Sequence, residues 1–504
     1  MKKIIFSILS VVLLSAGLTS CSDDRLEATL EGARDIEAKP LTTATDLRAA
    51  VSGAYYRMVN YNYYGRDMVI FSEVRGDNAY ASAGFSNRFQ VVSSFGLTAT
   101  TVYPADTWKK IYEVISSANL AIGSDIKTGS KTEIEQGKAE ALAIRALAHF
   151  DLLRLFGQQY VNDSGLAGLG IPYITQFGEL NAKKYQRLSV KEVRSLIYKD
   201  LDEALALVDK NASNKKRFTE QSIYGIKSRI ALFFGAFDNN DYKIALENAE
   251  KALGLGGSII QRSAYIASFR AEEPQSNSVL ELAQDNINNP GNNSLYNIYS
   301  YDGYGDVVGL GDNLKALFAD KSDIRASEDL QGDLYVRNNK GTYKKVGKEY
   351  VKLTKDELDG VVKVDENIRF NKEYYRNFGK YTGISSNVKV MRYEELLFNF
   401  VEAAVRTNTN TGEALELLNK LASERYEGNP AAKYNALTLK DVLTERRKEL
   451  VFEGFRFEDQ MRQKEDLAAT PQSKDGVKYG KPELAFPIPL SEINDSKIDQ
   501  NKGY

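Results

Sequence analysis

A single cysteine, Cys21, occurs in 504 residues, so no disulfide can form within the chain and the fold must rest on a core of ordinary size. With 43% apolar residues the chain has the material for one. The place of the cysteine adds a second constraint. It follows Lys2 and Lys3, an apolar run of about 15 residues from Ile4 to Leu18, and the small pair Thr19-Ser20. That is the layout of a secretory leader, and it is shorter than the roughly 20 residues that span a bilayer. Cleavage before Cys21 would free its thiol for lipidation, and more than one acyl chain is expected because a lone chain anchors weakly. The reading is a leader over 1–20, a lipidated polar tether over 21–45, and one folded body over 46–504. Formal charge is only -2, and no basic run is dense enough for a nucleic-acid groove, so nucleic acid is not an expected partner.

Helical periodicity dominates the body. Thr132 to Phe156 opens with a capping-box spacing to Glu135, aligns Leu142, Arg145, His149, Leu152 and Phe156 on one face, and stops at Gly157. A second helix starts at Ser189, with Glu192 three residues on, and runs through Leu196, Ile197, Leu201, Leu205 and Val208. Ser222 to Ala236 and Tyr242 to Leu255, joined by a polar turn over Asp238 to Asp241, form a pair resembling a tetratricopeptide unit. Ala245, Ala249 and Ala252 would let its helices approach closely. A related pair, Arg392 to Arg406 and Gly412 to Arg425, places Ala403, Ala404, Ala414 and Ala422 in the same way. Between the pairs, from about 256 to 387, the chain turns to Asn, Gly and Tyr with short alternating runs such as Tyr350–Leu353 and Val361–Val364. The predicted fold is mostly α: a helical scaffold over about 46–255 and 388–504, with a long loop-rich excursion holding a few short strands. Loops of that length inside a compact body usually carry function.

His149 is the only histidine, which excludes a His-His metal pair; mid-helix beside Leu152 and Phe156, it reads as a packed structural residue. No metal site, cofactor or catalytic residue is expected. Carboxylates are plentiful, but no spacing shows two of them facing each other across about 5 to 9 Å, as glycoside hydrolysis needs. Gly165 to Gly170 and Gly303 to Gly311 lack phosphate-loop spacing and read as turns. Glu445, Arg446, Arg447, Glu449, Glu453 and Arg456 read as a partly buried ion network locking terminal helices, with Arg446 and Glu453 on the helix face of Leu439, Leu443 and Leu450. Aromatics differ in distribution: there are 30 tyrosines, 22 phenylalanines and one tryptophan, and the tyrosines bunch. One group spans Tyr55 to Tyr64. Another, Tyr296, Tyr299, Tyr301 and Tyr304, sits among Asn and Gly where no helix or strand face demands rings, and tyrosine suits both stacking on sugars and gripping peptide backbones.

Several stretches together carry a family resemblance. They are Cys21 to Asp24; Trp108-Lys-Lys-Ile-Tyr112 leading to Ala118-Asn119; the run from Ala139 to Gly157; Met391 to Leu397 with Glu402-Ala403; Glu445 to Leu450 through Phe452-Glu453-Gly454; and Phe486-Pro-Ile-Pro489 with Glu492 and Gln500 to Tyr504. By these the chain resembles, over nearly its whole length, the SusD/RagB-like nutrient-binding lipoproteins of the Bacteroidetes outer membrane. It departs at Lys502, where proline is usual, and at Glu458-Asp459-Gln460-Met461. The resemblance implies a SusD-like scaffold with tetratricopeptide-like pairs, lipid anchoring at the outer cell surface, and a SusC-like TonB-dependent transporter as partner. It further implies capture of an oligosaccharide or oligopeptide without a covalent step. Ligand contacts are expected from Glu73 to Gln90 and Tyr296 to Tyr304, with Asp77, Asn78, Tyr80, Arg88, Tyr299, Tyr301 and Tyr304 as the candidates. Trp108 is expected in a packed helix, which leaves no tryptophan as a sugar platform and tilts the choice mildly toward peptide. A surface glycoside hydrolase and a ligand-free scaffold protein are the alternatives.

Overall fold

The computed structural model describes residues 40–504 apart from 84–85, 179–185, 301–302, 338–340, 347–348, 354–371, 429 and 431. Cys21, Tyr301 and the run Val361–Val364 lie outside the described residues. The fold is mostly helical. Helices α1 (Ala44–Met58), α2 (Asp67–Arg75), α3 (Gln90–Ser93), α4 (Val102–Gly123) and α5 (Lys131–Phe156) form the first layer. Next come α6 (Val190–Leu207), α7 (Glu220–Phe234) and α8 (Asn239–Gly254). Helix α5 is the axis of this part, buried on nearly every side from Gly137 onward and packed against α1, α4 and α6.

Local chemistry sets where these helices begin. Helix α5 starts before the expected Thr132, because Ser130 accepts from the Glu133 N–H at 3.2 Å while Glu133 accepts from the Ser130 N–H. The Ser189–Glu192 capping box forms as read from the sequence. Thr219 caps α7 reciprocally with Ser222, and Asp238, expected in a turn, caps α8 by accepting from the Asn240 N–H. Both helices therefore begin two or three residues before their predicted starts.

Helices α7 and α8 pack on each other and on the segment after the excursion. Ala245, Ala249, Ala403, Ala404 and Ala414 are all buried in one cluster and Ala422 is buried as well, so the small residues do lie where helices meet. Gly225 shows how close the approach is: a methyl there would sit 2.8 Å from Leu396 Cδ2.

The excursion is more ordered than its composition suggests. It contributes α9 (Tyr265–Arg270), β2 (Ser278–Leu282), α10 (Leu295–Tyr299), β3 (Val307–Gly309), α11 (Gly311–Leu317), β4 (Gln331–Arg337), β5 (Gly341–Val346), β6 (Glu349–Leu353) and β7 (Lys372–Asn377). With β1 (Ala79–Ala81) they build an antiparallel sheet of order β1-β3-β7-β4-β5-β6. A separate ribbon pairs β2 with β8 (Val388–Arg392), which leads into α12 (Tyr393–Thr407). Helices α13 (Thr411–Arg425), α14 (Leu439–Leu450), α15 (Arg456–Arg462) and α16 (Leu490–Asp495) complete the chain.

Besides shared apolar packing, a buried ion network ties the excursion to the scaffold. Glu449 receives Arg425 at 2.9 Å and Arg392 at 3.2 Å; Arg392 also meets Glu394 at 2.9 Å and Glu453 at 2.8 Å; Arg325 meets Asp323 at 2.8 Å and Glu445 at 2.6 Å. Lys380 joins Glu453 at 2.7 Å. The expected network around residues 445–456 is therefore present. Glu453, however, does not share a helix face with Arg446: α14 ends at Leu450, and positive φ at Phe452 and Gly454 turns the chain. Burial alone would push the Glu449 carboxyl up, but Arg425 and Arg392 hold it well below the usual carboxylate range.

The substitution Glu449→Gln leaves Arg392 and Arg425 buried without their shared anion. It is expected to lower unfolding free energy by about 3 to 5 kcal/mol, read as a fall in the urea midpoint with unchanged slope. A loss below about 1 kcal/mol would mean the network contributes no more than a surface pair.

Candidate functional site

The two segments marked out in the sequence, 73–90 and 296–304, are brought side by side. Strand β1 pairs with β3 in the register Ala79↔Gly309, Tyr80↔Val308 and Ala81↔Val307. The chain leaving β1 and the chain entering β3 then meet at their loops. The Ser82 N–H donates to the Asp306 carbonyl at 2.7 Å, and the Asp306 carboxylate accepts from the Ser86 N–H at 2.9 Å, the Ser86 hydroxyl at 2.6 Å and the Arg88 N–H at 3.3 Å.

This seam presents one mixed surface. The Arg88 guanidinium lies 3.5 Å from the centroid of the Tyr304 ring, and its Nη1 donates to Asn293 Oδ1 at 2.7 Å. Arg66 Nη1 donates to the same oxygen at 3.1 Å. The Arg66 guanidinium stands 4.8 Å from the Tyr61 ring and 5.1 Å from Phe89. Behind it, Asp67 accepts from Arg66 Nε at 2.6 Å, and burial pushes that carboxyl up to about 6.

The backbone here is held under strain. Asn87 and Phe89 both have positive φ, a conformation that costs a bulky residue on the order of 1 kcal/mol. Phe89 persists there because its ring stacks on Tyr103 at 4.7 Å and its N–H donates to the Tyr103 hydroxyl at 3.1 Å. On the partner segment, Arg376 is buried and donates from Nη1 to the carbonyls of Gly305 at 2.7 Å, Val307 at 3.1 Å and Tyr299 at 3.3 Å.

The candidates fall into two groups. Arg88 and Tyr304 are half-buried and adjacent, and Tyr80 is half-buried opposite Val308 in the strand pair. Asp77, Asn78 and Tyr299, expected as ligand contacts, are instead engaged by other parts of the chain, and Asn78 and Tyr299 are buried. Asp77 pairs with Arg456 at 2.5 Å and Arg447 at 3.2 Å. Burial opposes its ionisation, yet Arg456 and Arg447 hold its carboxyl below the usual range. Asn78 is buried and spans Glu73 at 3.1 Å and Arg447 at 2.9 Å. Tyr299 is buried, stacked on Tyr381 at 5.5 Å and edge-on to Phe452. These three fasten the excursion and β1 to the chain around residues 447–456.

Glu73 lies at the centre of that fastening. Burial pushes its carboxyl up to about 7, while the Gly454 N–H at 2.9 Å and Asn78 oppose the shift. Only glycine fits at 454, since φ is +85 and an added methyl would stand 2.7 Å from Val69 Cα.

Sequence reasoning missed Arg66, Asn293, Asp306 and Ser86. Tyr61, within the first tyrosine group, was the available signal. Others of that group are structural: Tyr63 and Tyr64 are buried, and the hydroxyls of Tyr55 and Tyr63 donate to Glu140 at 2.9 Å and Asp151 at 2.7 Å. Trp108 packs in α4 against Phe156 and Tyr112, as expected. His149 stacks on Tyr173 at 3.7 Å; its Nδ1 contacts the Arg145 carbonyl at 2.9 Å and its Nε2 accepts from the Ile174 N–H at 3.0 Å. Burial lowers it to about 3, so it is a neutral structural ring.

Other concavities are less suited. A cavity of about 50 Å³ between α5, α7 and α15 has room for a water or two, and its charged residues are ion-paired. Open clefts of about 650 and 600 Å³ flank α13, the larger lined by Arg262, Ile266, Glu424 and the buried Tyr426, the smaller by Asn419, Lys420 and the half-buried Tyr434. Among the described residues no group of three or more His, Cys, Asp or Glu side chains is arranged to hold a metal ion.

Comparison with known proteins identifies the lineage. Residues 33–232 match the SusD-like family model described as "Starch-binding associating with outer membrane", and residues 367–504 match the SusD family model. The chain belongs to the SusD/RagB family. SusD-like protein P2 of Formosa agariphila is 29% identical over 140 residues, a stretch that spans 26% of this chain and 28% of that relative's length. A SusD superfamily protein from Bacteroides vulgatus shares the fold with a TM-score of 0.76 at 23% identity, covering 92% of this chain and 100% of its own. A structure described as a laminarin binding SusD-like protein matches with a TM-score of 0.68 at 20% identity over 92% of this chain and 100% of its own.

The core and surface tyrosines are separable by stability. Tyr299→Ala empties a fully packed site and is expected to cost about 3 to 5 kcal/mol in urea unfolding, whereas Tyr304→Ala, at the surface, should cost less than about 1.5 kcal/mol. Equal losses for the two would contradict the division drawn between them.

Proposed function

We propose that this SusD/RagB-family chain is a lipid-anchored outer-membrane protein, exposed at the cell surface, that captures an oligosaccharide and passes it to a SusC-like TonB-dependent transporter without a covalent step. The observation that carries the reading is the surface where Tyr304 and Tyr61 stand beside the donors of Arg88 and Asn293, with the buried Arg66 behind them. A pyranose offers an apolar face to a ring and hydroxyls to amide and guanidinium groups, which is the combination assembled here. The clamps from Arg376, Asp306 and Asn78 favour binding by preorganisation, since a surface fixed in advance loses less freedom on capture.

A solved relative described as laminarin binding supports a glycan over a peptide, and the description of the amino-terminal family model supports the membrane setting. The layout around Cys21 supports a leader over 1–20 and a lipidated tether over 21–45 ahead of a single body.

The test is calorimetric titration of the full-length chain in detergent with laminarin, starch and mixed tryptic oligopeptides. Heat from a glycan is expected, with Tyr304→Ala weakening affinity roughly threefold to tenfold. Heat from the peptides alone, or glycan binding indifferent to Tyr304→Ala, would overturn the assignment.

A further inference from the structure

Arginines in the described body are accommodated mainly in two ways. Many meet carboxylates, as Arg145 meets Asp200 at 2.7 Å and Arg229 meets Glu395 at 2.6 Å. Others donate to main-chain carbonyls, as Arg75 does to Leu484 and Arg187 to Gly170 and Phe156. Arg88 does neither. Its guanidinium rests on the Tyr304 ring and donates through Nη1 to the neutral carboxamide of Asn293, and no carboxylate among the described residues forms an ion pair with it.

A second cation converges on the same point. Arg66 reaches Asn293 Oδ1 at 3.1 Å, so two guanidinium groups share one uncharged oxygen. Arg66 has Asp67 behind it at 2.6 Å and is only 5% exposed. Arg88 is half-buried, and the Asp306 carboxylate in the seam is engaged by the loop itself through Ser86 and the Arg88 main-chain N–H. The Nε and Nη2 donors of Arg88 are thus not spent on any side chain among the described residues. Stacking on a ring fixes the plane of the guanidinium and leaves its edge as a fork for a planar or tetrahedral anion.

From this we infer that the ligand is an acidic oligosaccharide whose carboxylate or sulfate group is received by Arg88, with Asn293 and Tyr304 holding the guanidinium in place. The inference rests on the glycan-binding reading above and names its substrate class. A charge-assisted pair of this kind contributes roughly tenfold to a hundredfold in affinity and weakens with salt.

The experiment titrates the full-length chain in detergent, at low and high salt, with hexagalacturonate, a sulfated carrageenan hexasaccharide, neutral laminarihexaose and hexaglutamate. One acidic glycan is expected to bind at least tenfold tighter than the neutral one, and which of the two binds tells a uronate from a sulfate ester. Arg88→Gln should erase that preference and Arg88→Lys should keep part of it. Asn293→Asp places an anion between the two guanidinium groups, so it should raise the melting temperature while weakening acidic-glycan binding, a readout that does not depend on a destabilised variant. Laminarihexaose bound as tightly as the acidic glycans, with Arg88→Gln unchanged, would overturn the inference and leave the glycan reading standing. Heat from none of the four would overturn the inference alone, and heat from hexaglutamate alone would overturn both.

Discussion

Glu449 and the arginines around it are the constraint on which the architecture depends. The excursion has little helix of its own and buries its apolar residues, such as Leu280, Ile298, Val307 and Phe318, piecemeal against the scaffold, so its charged contacts weigh heavily in fastening it. Arg325 and Lys380 from the excursion, Arg392 from β8, Arg425 from α13, and the carboxylates of Glu394, Glu445, Glu449 and Glu453 meet in one buried network. Such groups are costly to desolvate and are tolerated only as a complete set. The excursion and the terminal helices are therefore obliged to be present together.

From that anchor the order passes outward to the surface seam. Glu73 ties α2 to the turn at Gly454, Asn78 ties the chain entering β1 to Arg447, and β1 then pairs with β3. Arg376 grips the backbone leading into β3 from below. The strained backbone at Phe89 is held by Tyr103, and the neighbouring Arg88 lies over Tyr304. A polar surface of this sort gains affinity by being rigid before the ligand arrives.

Much of the scaffold was legible in the residues themselves. Ser189 with Glu192 marked a helix start correctly, and the alanines at 245, 249, 403 and 404 marked helix contacts. The start of α5 was misplaced because two capping spacings overlap, and Ser130 with Glu133 wins over Thr132 with Glu135. The charged run 445–456 was readable as a network, but Arg325, Lys380 and Arg425 were not readable as its partners, since nothing local distinguishes them. The same holds at the site. The two segments were found, yet Asp77, Asn78 and Tyr299 are consumed by tertiary contacts that only the packed chain reveals, while Arg66 and Asn293 gain significance only by sharing one oxygen.

The central claim is that ligand is received at the seam of β1 and β3. Hydrogen exchange of the full-length chain, with and without a bound oligosaccharide, tests it directly. Added protection confined to the amides of 86–93 and 291–310 is the result this account requires. Protection instead around 261–266 and 423–428, at the clefts beside α13, would contradict it.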